Sequence, residues 1–183
     1  MPCPGRTGAV LTAPTIRRLA PSDAAGYREL RLRALREHAD AFTSSFEEES
    51  ARPLAWSEQR LGASANRPHD FFLGAFQGAM LVGMLGLQGR CRPKERHNAS
   101  VVGMYVAPEA AGQGVGLALM QALLLQARAC VDLEQIDLTV TAGNQRAQSM
   151  YARCGFVVFG VLPRAIKVQD QYFAKVHMVL RLR

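Results

Sequence analysis

The segment AAGQGVG, residues 110–116, sets Gly112, Gly114 and Gly116 at alternate positions between two apolar runs. Glycine weakens helices and strands, so such a cluster serves backbone shapes or close approaches that a side chain would block. The run before it, ASVVGMYV (99–106), is strongly β-prone, and Pro108 ends it. The run after it, residues 117–129, is rich in Leu, Ala and Gln and reads as the clearest helix in the chain. The loop therefore delivers the chain from a strand to a helix N-terminus. Unbonded N–H groups and the helix dipole favour an anion there, and phosphate is the natural ligand. A nucleotide P-loop is excluded because no Lys follows the glycines. A dinucleotide fingerprint is excluded because residue 117 is Leu and the loop comes late in the chain. A tight turn without a ligand needs fewer glycines than these.

The remaining elements follow from periodicity and breakers. TIRRL, residues 15–19, is a short strand, and Ser22 and Asp23 are helix caps. A helix then runs to about Arg36, with Tyr27, Leu30, Leu32 and Leu35 at mixed helical spacing. FTSSFEEES (42–50) is a polar, acidic stretch between aromatics, and residues 53–61 form a second short helix. Apolar runs at 71–76 and 79–87, separated by Gln77 and Gly78, signal a hairpin, and the basic segment 88–96 is a loop. IDLTVT (136–141) alternates as a strand does. Asn144 is a helix N-cap, residues 147–153 form a short helix, and Gly155 stops it. The last strands lie at 156–159 and 176–182. The order β, α, α, β, β, β, α, β, α, β, β defines an α/β-type mixed sheet with a parallel crossover around the long helix.

With 183 residues the chain fits one domain, read as 15–183 behind a loose tail at 1–14. The first residues are too weakly patterned for a secretory signal. Net charge is +7, with basic residues scattered apart from a modest cluster at 90–96. Such a balance suits either a solvated surface or a polyphosphate ligand. No nucleic-acid motif is present and no apolar stretch has the length of a membrane span, so neither partner is expected. Cys3, Cys91, Cys130 and Cys154 are widely spaced and make no metal-ligand pattern with the four histidines. No metal is expected, and free thiols suit a reducing cytoplasm.

VVGMYVAPEAAGQGVGLALM resembles the acetyl-CoA motif of the GNAT superfamily of N-acetyltransferases, V-x-P-x-x-R-G-x-G-x-G. NQRAQSMYARCGF (144–156) is similar to that family's N-x-x-A-x-x-x-Y-x-x-x-G-F segment, with Asn144, Ala147, Tyr151, Gly155 and Phe156 in register. The resemblance covers about residues 99–160. LRLRALREHADAF extends it weakly into the N-terminal half. It implies the GNAT fold: a mostly antiparallel mixed sheet, flanked by helices, whose two central strands run parallel and splay. It implies direct transfer of an acetyl group from acetyl-CoA to a primary amine of a small molecule or peptide. A non-catalytic acyl-CoA-binding or regulatory protein on the same fold is the alternative. Homodimers are common in the family.

The resemblance also assigns roles. Backbone groups of Met104, Tyr105 and Val106 would hold the pantetheine arm, and an N–H of this strand would stabilise the oxyanion. Ala111, Gly112, Gln113, Gly114, Val115, Gly116 and Leu117 would cradle the pyrophosphate. Ala111 departs from the family's Arg or Gln, a loss that Gln113 or a nearby basic residue would make good. Tyr151 would be the general acid for the departing thiolate, or else a buried aromatic with its hydroxyl at the rim. Asn144 caps the helix, contacts the cofactor, or both. Residues 98–107 lack the carboxylate that many relatives place there. His97, just ahead of the strand, is a candidate base or a strand-end histidine, and a water relay serves equally. Glu47, Glu48 and Glu49 form either the acceptor wall or a solvated face. Tyr105 faces the acceptor or packs, and Tyr172 would shape the acceptor pocket.

Overall fold

The computed structural model describes residues 14–64 and 66–183, so the expected tail lies outside the described residues apart from Pro14. The strands are β1 (Thr15–Arg18), β2 (Phe71–Gln77), β3 (Met80–Gly89), β4 (Asn98–Val106), β5 (Gln135–Thr141), β6 (Val157–Val168) and β7 (Gln171–Arg181). The helices are α1 (Ala24–Glu37), α2 (Phe46–Ser50), α3 (Leu54–Leu61), α4 (Val115–Ala129) and α5 (Gln145–Arg153). The strands form one sheet in the order β1-β2-β3-β4-β5-β7-β6. Every pairing is antiparallel except β4 with β5, as the resemblance implies.

Alternation along β2 builds a core on each face of the sheet. Phe71, Leu73 and Ala75 point toward α4, while Phe72 packs with Tyr27 and Leu30 of α1. Helix α4 buries Leu119, Leu123 and Ala127 at four-residue spacing, which gives it one continuous apolar stripe.

Two parts of the chain differ from the sequence expectations. The acidic run 42–50 contains helix α2, started by a reciprocal cap. Glu48 N–H donates to Ser45 Oγ at 3.1 Å and Ser45 N–H to Glu48 Oε2 at 2.8 Å. The last two strands are far longer than the apolar segments at 156–159 and 176–182, and together they form a long hairpin. Pro163 and the charged residues around it mask that pattern. The structure tolerates them because β6 is the edge strand and its ladder is interrupted between Leu162 and Ile166.

Candidate active site

The parallel pairing of β4 with β5 covers only Asn98–Ser100 against Gln135–Asp137. Ser100 Oγ donates to Asp137 Oδ1 at 2.6 Å, and Arg90 reaches both Ser100 and Asp137, so this base is clamped by side chains. Beyond it the strands part. A bulge helps to turn β4: Gly86 opposes Val102 and Met84 opposes Tyr105, so Gly103 and Met104 share one partner. Gly103 adopts φ +66° there, a left-handed conformation suited to glycine.

The parting opens a cleft of about 980 Å³. Its lining includes Met104, Tyr105 and Val106 of β4, the opposite strand from Leu138 to Thr141, and the glycine loop. Gly112 and Gly114 take φ +81° and +78°, and a Cβ built on either meets no protein atom within 4 Å. These glycines are required by backbone shape, not by packing. Gly116 differs, because its Cβ would touch Met150, Val106 and Met104 at ordinary distances. Ala118 N–H donates to Gly114 O at 3.0 Å, so the N–H groups of Val115, Gly116 and Leu117 precede the helical ladder. Amides outside the helical ladder, left-handed glycines and two unpaired strand edges fit a long ligand with a phosphate at one end and amides along its arm.

Of the residues singled out in the sequence, Met104, Tyr105, Val106, Ala111, Gly112, Gly114, Val115, Gly116, Leu117, Asn144 and Tyr151 all line this cleft. Asn144 Oδ1 accepts from Ala147 N–H at 3.0 Å, so it caps α5 while facing the cleft. Gln113 is turned away, its amide bonded to Gln77 and to the Glu109 carbonyl. It does not stand in for the missing side chain at Ala111, whereas the basic Arg146 and Arg153 of α5 do line the cleft. His97 is not brought to the cleft. It sits at the paired base, where its carbonyl accepts from Glu134 and Gln135.

Tyr151 is buried with its ring edge-on to Phe156. Burial, with a smaller contribution from the nearby Cys154 thiol, pushes its phenol up to about 12. Tyr105 donates to Glu37 Oε2 at 2.5 Å, and Arg33 bridges Glu37 and Glu109. Burial first, then the Glu37 hydrogen bond, raises the Tyr105 phenol. Tyr172 is exposed on β7 beneath the Arg164 guanidinium and lies outside the lining.

The three glutamates of the acidic run have separate fates. Glu47 is exposed, Glu48 caps α2, and Glu49 is buried against Arg31 at 2.7 Å. The sequence reading missed one wall of the cleft. It is the segment from His38 to Ser44, with Arg31 and Arg60 beside it. His38 and Asp40 are the Brønsted bases of the lining, and the His38 ring lies 5.9 Å from that of Tyr105. Lys175 Nζ donates to the Asp40 and Ala41 carbonyls and to Thr141 Oγ1, which fastens this segment to the end of β5.

A family model described as "Acetyltransferase (GNAT) family" matches residues 32–156. A curated relative, the N-alpha-acetyltransferase RimI of Mycobacterium tuberculosis, is 31% identical over 115 residues, which are 62% of this chain and 68% of the relative. Among solved structures, yncA from Salmonella typhimurium with acetyl-CoA superposes with a TM-score of 0.75 at 22% identity, covering 94% of this chain and 95% of that one. A phosphinothricin acetyltransferase from Sinorhizobium meliloti, also with acetyl-CoA, gives 0.78 at 16% identity, over 93% and 89%. At such identities the structural likeness speaks for the fold alone. The family match spans most of the chain, and the chain belongs to the GNAT acetyltransferase family.

Proposed function

We propose that this chain is an acetyl-CoA-dependent N-acetyltransferase that moves an acetyl group directly to a primary amine of a small molecule or peptide. The observation that carries the reading is the left-handed glycine loop at the start of α4, set beside two strands that part. Bound acetyl-CoA would supply the activated thioester carbon. The amides of residues 112–117 would hold its pyrophosphate, with the charge of Arg146 and Arg153 offsetting the absence of a polar side chain at Ala111. The unpaired edge of β4 at Met104, Tyr105 and Val106 would bond the arm. One of its N–H groups would face the carbonyl oxygen as negative charge develops.

Tyr151 would donate to the departing sulfur. With its phenol near 12, it stays protonated across the neutral range and is available as a donor. An ordinary thiol titrates at about 8.5. Full proton transfer from Tyr151 is therefore uphill, and the hydrogen bond itself is what stabilises the thiolate. His38 lines the cleft and would remove the proton shed by the amine, directly or through one water. The free thiols of Cys91, Cys130 and Cys154 support a reducing, cytoplasmic setting.

A homodimer joins the proposal because β6 is an unpaired edge that exposes Val157, Val158, Phe159, Val161 and Leu162.

Calorimetric titration with acetyl-CoA, followed by an amine panel read through thiol release, tests the reading. Micromolar binding at one site, weakened by Gly114→Glu, together with turnover of any amine, supports it. Binding without turnover of any amine would leave an acyl-CoA-binding protein. No binding at millimolar ligand would end the acetyl-CoA reading.

A further inference from the structure

The wall of the cleft formed by α1 and α3 holds more positive charge than it neutralises. Arg31, on α1, has a side chain 7% exposed. Its Nε and Nη2 donate to both oxygens of Glu49, which is itself buried. Its Nη1 is buried and has no hydrogen-bond partner among the described residues. Arg60, on α3, presents a second buried donor without a partner, Nε. Both arginines line the cleft. Aromatic faces hold the two guanidinium groups in place: Phe42 for Arg31 at 4.6 Å, and Trp56 and Phe72 for Arg60 at 5.1 and 4.9 Å.

One carboxylate serves these two cations. The other carboxylate of the lining, Asp40, lies close enough to Lys175 to bear on its charge. Nearly all buried donors in folded proteins are bonded, and a buried guanidinium N–H left open is a costly exception that calls for an acceptor. Two such donors on one wall, with one net positive charge, match an oxyanion.

Resting on the acetyltransferase reading, we propose that the acceptor amine also carries an oxyanion, and that the guanidinium groups of Arg31 and Arg60 receive it. The substrate class is then amino acids or aminophosphonates. Polyamines are disfavoured, because their second charge would meet two arginines. The oxyanion anchors the acceptor at the wall of α1 and α3, and the amine is free to reach toward the opening between β4 and β5. Arg31 and Arg60 select the acceptor and take no part in the transfer.

The test uses N-acetyl amino acids as probes, each beside its carboxamide, titrated into protein saturated with CoA so that the glycine loop cannot capture the anion. A parallel series without CoA uses Gly114→Glu, which closes the loop by other means. That series keeps the measurement valid even where CoA fails to bind, an outcome that counts against the acetyltransferase reading alone. The acids are expected to bind about ten-fold or more tightly than their amides. Arg60→Gln is expected to bring the two within about two-fold. Arg31→Lys keeps a cation beside Glu49 while removing Nη1, and it is expected to weaken the acids without unfolding the protein. Thermal melts check that both variants remain folded. N-acetyl aminophosphonates form a further arm, and the tighter series names the oxyanion. Equal affinity for acid and amide in the wild type, or a preference undiminished in folded Arg60→Gln, would overturn the proposal.

Discussion

Lys175 Nζ stands 2.9 Å from the carbonyl oxygen of Asp40, which lies far from it in sequence. The same ammonium reaches Ala41 O at 2.8 Å and Thr141 Oγ1 at 3.0 Å. One side chain of β7 thus fastens the segment after α1 to the far half of the sheet. Lys175→Met keeps the buried stem but leaves the Ala41 carbonyl without its donor and the Asp40 carbonyl with Thr141 Oγ1 alone. The expected loss is about 2 kcal/mol in urea unfolding. With the best amine of the panel, the acceptor KM is expected to rise more than that of acetyl-CoA, because the loosened segment lines the acceptor side.

Tyr151→Phe removes one hydroxyl and keeps the ring against Phe156. The turnover number is expected to fall about a hundred-fold or more while acetyl-CoA affinity changes less than about two-fold. Steady-state rates paired with calorimetry separate the two quantities. An equal loss in both would assign Tyr151 to binding.

The Arg31–Glu49 pair contributes to the acid limit of stability. Burial alone would raise the Glu49 carboxyl, but hydrogen bonds and charge from Arg31 outweigh it and hold the group below its ordinary value. A carboxyl lowered by folding contributes stability in full above its unfolded value of about 4.3. That contribution fades as pH falls from there through the folded value. Glu49→Gln is expected to flatten this acid limb by up to about 1.4 kcal/mol per pH unit. Denaturant unfolding of both proteins between neutral pH and pH about 3 gives the two slopes.

The same substitution should have opposite signs at two glycines. Gly26 is exposed within α1 and its Cβ would meet nothing. Gly26→Ala is expected to stabilise by about 0.5–1 kcal/mol. Gly114 also has open space, but φ +78° makes Gly114→Ala destabilising by about 1 kcal/mol. The new methyl group would also stand where the phosphate must approach, so acetyl-CoA affinity should drop about ten-fold or more. Thermal melts with and without acetyl-CoA read both effects.

Phe159 lies on the exposed face of β6, 62% accessible. Sedimentation is expected to give the mass of two chains for the wild type and of one chain for Phe159→Lys. A single-chain mass for both would remove the dimer from the proposal.

What the sequence displayed and what it concealed divide along a physical line. The glycine loop, the caps at Asn144 and Gly155 and the stripe of α4 are local, because backbone shape and helix periodicity are written in neighbouring residues. The splay of β4 from β5 was available only through family resemblance, since nothing local tells a strand to leave its partner after three residues. The wall of the cleft that carries Arg31 and Arg60 was hidden for a stronger reason. Arg31, Glu49 and Arg60 come from three helices, and their placement depends on how α2 and α3 pack against α1. FEEES therefore looked like a solvated face although one of its acids is buried. His97 drew notice as the histidine next to the strand, but β4 carries the chain from there away from the paired base and into the cleft. His38, just past the helix expected to end near Arg36, arrives at the cleft instead.

The short pairing of β4 with β5 leaves a seam through the middle of the sheet. Only Asn98–Ser100 and Gln135–Asp137 stitch the two halves there by backbone pairing. Amides of Val101–Val106 that point away from β3 have no neighbouring strand to hold their protons, so hydrogen exchange in the free protein should be fast along one edge of β4 and slow along the other. A ligand whose own amides lie in the seam acts as the missing strand. Slowed exchange along that single edge would then be the first visible sign that the sheet has been completed.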